Sequence, residues 1–187
     1  MSLEKVKRYL DLLGNYTKLH LSKSDLLTKK LLYCPCSTKY HGSYNGGLLD
    51  HLLNVVNISG RLAYSLYEEL ENKENIFEQL MFCSLIHDLG KLGNIENDFY
   101  LVNPDKNKRD KEPFVVNTNL VSMPHELRTL YWLDLLGING LKEEELQAIC
   151  YHAGPYAPGY LEAVRKEHPL LVLLHTADNL ATKIMEA

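Results

Sequence analysis

No apolar run in this sequence approaches the ~18 consecutive residues that a membrane-spanning helix needs, so a membrane protein is not expected. Met1 to Leu10 is charged and amphipathic and lacks the apolar stretch of a secretory leader, which makes a cytoplasmic setting the expectation. Excess positive charge is also missing: 20 Lys and Arg face 24 Asp and Glu, for a formal net charge of −4. A broad basic surface for duplex nucleic acid is therefore not expected, although a local groove for a single strand is compatible with that balance. Internal repeats, low-complexity tracts and a Pro/Gly/Ser-rich linker are lacking. So are a phosphate-binding P-loop, a Rossmann glycine pattern and a nucleophile elbow, which leaves no sequence signature for a side-chain nucleophile. Cysteine is sparse, at four residues. Cys34 and Cys36 are separated by Pro35 alone, which is not the two-residue spacing of a zinc knuckle or redox motif. Cys83 and Cys150 lie in apolar helical segments, and all four read as reduced core residues.

What is present is an ordinary globular composition, 45% hydrophobic and 24% charged over 187 residues, enough for a single domain covering 1–187. Helical periodicity dominates. Residues 4–13 open as a short amphipathic helix, and 14–45 are mixed, with turn formers at Gly14, Pro35 and Gly42. From Gly47 to Leu70 the apolar positions Leu48, Leu49, Leu52, Val55, Val56, Leu62, Ala63 and Leu66 follow helical spacing. A second such segment runs from 74 to 89, with Gly90 as its expected stop. "FYLV" (99–102) and "FVV" (114–116) are aromatic and β-branched and flank a charged, turn-prone stretch, which predicts a β-hairpin. Helices over about 124–136, 142–152 and 169–186 follow, with a short one near 160–167. The class is all-α with one small hairpin inserted.

Against this background "SLIHDLGKLG" (84–93) is unusual, because His87 and Asp88 emerge from an apolar helix. His51 is embedded among leucines in "GGLLDHLLNVV", and Asp178 lies in "LVLLHTADNLA". A carboxylate in such a setting needs a cation or strong donors. Together these residues make a nitrogen and oxygen ligand set suited to a transition metal or Mg²⁺ rather than a thiolate site. The helix is expected to stop at Gly90 so that the His-Asp pair can straddle an ion at its tip, with Lys91 beside it as a point charge suited to phosphate. Any one of these residues alone reads more readily as hydrogen-bonded core.

The series His51, His87-Asp88 and Asp178, with "GGLLDH", "IHDLGK" and "TADNLA" as its specific stretches, resembles the HD-domain metal-dependent phosphohydrolases over roughly residues 40–185. "YNGGLLDH" is particularly similar to HD domains of certain exoribonucleases and conjugation-associated proteins. The resemblance implies an HD-type helical bundle and hydrolysis of a phosphate ester or anhydride through a metal-activated water. It makes His51, His87, Asp88 and Asp178 ligands of a divalent ion (Mn, Fe, Ni, Mg or Zn). His125 and His152 complete the order H, HD, H, H, D of members with two metals, and with Asp88 bridging they would hold a second ion. Arg128, one helical turn after His125, joins Lys91 and Asp88 as a candidate catalytic group that grips phosphate. His41 and Tyr44 are expected near the pocket, His175 behind Asp178, and His20 and His168 at the surface or in caps. Glu96 and Asp98 read as members of a solvated loop.

The expected substrate is a small phosphorylated molecule, a nucleotide or cyclic nucleotide. An exonuclease acting on single-stranded nucleic-acid ends and a non-catalytic metal- or nucleotide-binding module are the alternatives. The hairpin over 97–116 is expected at the mouth of the site, where it would help to select the substrate.

Overall fold

The computed structural model describes residues 3–17, 21–70 and 72–186, with the side chains of 21–23 excepted; His20 lies outside the described residues. Among them the chain forms seven α-helices, short 3-10 turns and one two-stranded antiparallel sheet, so the fold is mostly α with a small hairpin. No described helix is long and apolar enough to cross a membrane. Two compact units alternate along the chain: Met1–His51 with Asp88–Ile138, and Leu52–His87 with Asn139–Ala187.

In the first unit, α1 (Leu3–Gly14) buries Val6, Tyr9 and Leu13, three positions on one helical stripe. α2 (Leu21–Tyr33) lies within 14–45, which the sequence reads only as mixed and without an assigned helix. Leu27 and Leu31, one turn apart, are fully buried on it. Two leucines are too sparse a pattern to reveal a helix, and packing against α1 stabilises what periodicity does not. α3 (Gly47–Ser65) then begins, with Leu48 and Leu49 buried in its first turn.

The helix before the His-Asp pair, α4 (Lys73–Ile86), ends earlier than expected, and Leu89–Leu92 form a 3-10 turn after Asp88. Gly90 is therefore not a helix stop. A Cβ there would collide with the His125 carbonyl oxygen, and the Gly90 N–H donates to Thr129 Oγ1 at 2.9 Å. The glycine lets the turn lie against a later helix. That turn is followed by the hairpin, β1 (Tyr100–Val102) and β2 (Phe114–Val116), in the register Tyr100↔Val116, Leu101↔Val115, Val102↔Phe114. Asn103 fastens its tip: Nδ2 donates to Glu112 O at 2.8 Å, while its carbonyl accepts from Arg109 Nε at 2.6 Å. α5 (His125–Leu136) completes the unit, starting just after Pro124, and Trp132 on it donates to Gly93 O at 2.8 Å.

In the second unit, α4 packs against α6 (Glu143–Tyr151) and α7 (Pro169–Leu180), which also pack on each other. The C-terminal end of α4 is buried on every side, from Phe82 through Ile86. Ser84 sits among them without penalty because it donates to Leu80 O at 2.7 Å and lies 2.7 Å from Ser59 Oγ. His168 caps α7, its Nδ1 accepting from Leu170 N at 3.2 Å, as its position before Pro169 suggests. α7 ends sooner than the expected 186 and passes into a π turn over Ala181–Met185, and the helix expected near 160–167 is a 3-10 turn, Tyr160–Glu162.

Candidate metal centre

In the first unit the chemistry gathers on Asp88, which is 1% exposed. Its Oδ2 lies 2.6 Å from Lys91 Nζ and 3.4 Å from His51 Nε2. Its Oδ1 lies 3.1 Å from His125 Nε2. The 3-10 turn after Asp88 makes this arrangement, because it returns Lys91 over the carboxylate three residues on while α5 delivers His125 from the other side. Burial alone would oppose a charge on Lys91. The Asp88 carboxylate, with Cys36 and Tyr100 behind it, overrides burial and holds the Lys91 pKa well above its ordinary value.

Two imidazole Nε2 atoms facing the two oxygens of one buried carboxylate form a donor set that suits a divalent first-row cation. His125 is further oriented through Nδ1, which lies 3.3 Å from Glu126 Oε2. A carboxylate behind a ligand histidine fixes the ring and raises its basicity. Sequence reasoning missed Glu126, since neighbours in a helix normally point apart and give no periodic signal.

In the second unit His87 and His152 are both buried, with ring centroids 4.7 Å apart at 77°. His87 Nδ1 lies 3.1 Å from Ser84 O, and His152 Nδ1 lies 2.8 Å from Ile149 O. A carbonyl only accepts, so each Nδ1 carries the proton, and in the neutral ring Nε2 carries the lone pair a metal requires. Both histidines reach this state in the same way, by bonding back to the carbonyl three residues earlier at the end of a helix. His175 supports His152 from behind, its Nδ1 2.7 Å from His152 O. Asp178 is half-buried, with Thr182 Oγ1 3.4 Å from its Oδ1.

The remaining candidates divide. His41 lies beside His51, with ring centroids 5.2 Å apart. Tyr44 is exposed and donates to Asp50 Oδ2 at 3.0 Å. Glu96 is exposed, and Asp98 pairs with Lys30 at 2.7 Å. Arg128 is buried; its Nη2 donates to Val121 O at 2.6 Å and its guanidinium stands 5.0 Å from the centre of the Phe99 ring. Its Nη1 is buried without a hydrogen-bond partner among the described residues. A cleft of about 340 Å³ opens in the same unit, walled by Tyr33, Cys34, Pro35 and Asn45 on one side and by Tyr100, Leu101, Val102 and Phe114 of the hairpin on the other. Cys34 connects this cleft to Lys91, its Sγ donating to Lys91 O at 3.1 Å.

Each unit, taken by itself, presents donors whose chemistry suits a divalent ion: imidazole nitrogens with settled tautomers in the second, and a carboxylate flanked by imidazoles in the first. No protein-family model, curated protein or solved structure matches this chain.

Proposed function

We propose that this chain is a metal-dependent phosphohydrolase of the HD type, cleaving a phosphate ester or anhydride of a nucleotide or cyclic nucleotide. His51, His87, Asp88, His125, His152 and Asp178 are the proposed ligands of one or two divalent ions. The observation that carries the reading is Asp88, buried with His51 Nε2 and His125 Nε2 on its two oxygens. Lys91 at 2.6 Å uses only part of the acceptor capacity of the carboxylate, and the two imidazoles beside it are of the donor type that shares a cation with a carboxylate.

A divalent ion held there would lower the pKa of a water and polarise a phosphoryl oxygen. The chain's own groups do the rest. Lys91 offers positive charge next to Asp88, where a phosphate would bring negative charge. Arg128 has Nη1 left to donate to a phosphate oxygen, while Nη2 and the ring contact hold the guanidinium still. The carbonyls of Ser84 and Ile149 keep the His87 and His152 rings oriented.

The test is metal analysis by mass spectrometry, together with turnover of a panel of nucleotides, cyclic nucleotides and an aryl phosphate ester. His87→Ala and Asp88→Ala should each lose bound metal and lower turnover by at least about 100-fold, beyond what loss of a supporting contact alone costs. Full metal occupancy in Asp88→Ala, or no turnover by the metal-loaded wild type across the panel, sinks the reading. A second substrate class has an observation in its favour: Tyr33, Tyr40 and Tyr44 are exposed in the first unit, with Lys39 Nζ 5.3 Å from the centre of the Tyr40 ring. Exposed aromatics beside lysine suit stacking of single-stranded bases, so short single-stranded oligonucleotides belong in the panel.

A further inference from the structure

Cys36, His41 and His51 each place a ligand atom so that all three lie within 4.8 Å of one another. All three belong to the first unit. Cys34, the other half of "CPC", points elsewhere, since its Sγ donates to the Lys91 and Pro35 carbonyls at 3.1 and 3.3 Å.

The grouping is built by backbone rather than by chance side-chain placement. The Cys36 N–H donates to Gly42 O at 2.8 Å, closing the loop 36–42. Inside it Ser37 Oγ donates to His41 O at 2.7 Å and accepts from Tyr40 N at 2.9 Å. Gly42 has φ +57°, and a Cβ on it would lie 2.7 Å from Cys36 Cβ. A Cβ on Gly47 would run into Gly42 O. Two glycines thus let the loop lie against the first turn of α3, and His51 follows Gly47 by one turn on the same face. Cys36 and His51 are each 1% exposed while His41 is half-buried, so His41 marks the side from which an ion enters.

Lys91 Nζ stands 3.7 Å from Cys36 Sγ, so the sulfur faces a polar neighbour on that side. A core cysteine needs only apolar neighbours. This one has two imidazoles and an ammonium.

We propose that Cys36, His41 and His51 form an accessory site for a thiophilic divalent cation, zinc foremost, with the fourth position left to water. One thiolate and two imidazoles select zinc over magnesium or manganese, which prefer oxygen donors. The site goes beyond the phosphohydrolase reading and does not depend on it; both draw on His51, and since a neutral imidazole offers one lone pair, an ion here and an ion at Asp88 compete for that ring.

Cobalt titration of the reduced, metal-stripped full chain tests it. Wild type should develop thiolate-to-cobalt charge-transfer absorption that zinc then displaces. Cys36→Ser should abolish the band, Cys34→Ser should keep it, and His41→Ala should weaken cobalt binding by at least about tenfold. Asp178→Asn should keep the band while losing any turnover. X-ray absorption on the fully zinc-loaded wild type needs no variant and should show a sulfur neighbour at about 2.3 Å. No charge-transfer band in wild type, a band that survives Cys36→Ser, or a zinc edge without sulfur overturns the site. A band in a chain with no phosphohydrolase turnover would retire the hydrolase reading and leave this site standing.

Discussion

Gly90 is the residue on which the surroundings of Asp88 depend most directly. Its N–H is bonded to Thr129, and its missing Cβ is what lets the turn approach the His125 carbonyl. Gly90→Ala would push a methyl group into main chain, which cannot swing aside as the end of a flexible side chain can. Overpacking of this kind costs about 3 kcal/mol at its upper range, and the displacement falls on α5 at His125. Urea denaturation should show that loss, and metal affinity should fall with it. An unchanged denaturation midpoint would mean that the turn and α5 separate at little cost. Lys91 makes a second point at this scale. Its charge survives burial because a carboxylate lies 2.6 Å away, so the same contact supplies both the residue's ionisation and its place beside Asp88.

Among the elements, the hairpin is the one whose role can be separated from metal binding. β1 supplies Tyr100, Leu101 and Val102 to the wall of the cleft, while the charged tip beyond Asn103 is held by its own backbone and side-chain bonds. Leu101 and Val102 are exposed apolar residues, an arrangement that suits contact with a flat apolar group such as a base. Under the proposed function, shortening the tip between Asn103 and Pro113, or replacing Val102 with Glu, should raise KM by about tenfold, or ~1.4 kcal/mol. Metal content should stay at the wild-type level. Unchanged kinetics across the substrate panel would remove the hairpin from substrate selection. α2 carries the opposite lesson, as an element whose existence is owed to its neighbour α1 and not to a pattern of its own.

For the molecule as a whole, one contribution to stability against pH comes from a buried thiol, Cys83; burial raises Cys34 in the same way. Burial, with Glu145 and Glu144 adding to it, pushes Cys83 well above the ordinary thiol value. The folded chain therefore holds that proton more tightly than the unfolded chain, which releases it above pH ~8.5. The contribution is complete below that pH and is lost as pH rises toward the folded value, with a slope of up to about 1.4 kcal/mol per pH unit. Cys83→Ala should cost about 1 kcal/mol at neutral pH through lost packing and should flatten the decline between pH 8 and 10. Urea midpoints across that range check it, and an unaltered slope would assign the decline to other groups.

Periodicity along the chain was sufficient to mark α1, α3 to α7 and the hairpin, because amphipathic spacing is a local property that needs no knowledge of the partner surface. His51, His87, Asp88 and Asp178 were legible for a related reason, since a histidine or aspartate among leucines is anomalous wherever the helix packs, whereas His125 and His152 entered only through the order H, HD, H, H, D of the resemblance. Contacts between distant positions were not legible. Gly90 serves α5 from 35 residues away in sequence, Cys36 faces Lys91 and His41 rather than Cys34, and Arg128 braces Phe99. The sequence by itself determined the helical segments other than α2, and which residues are chemically out of place. Tertiary structure alone decided which of them meet, because backbone approach and side-chain contact depend on packing between elements, and no local pattern encodes that.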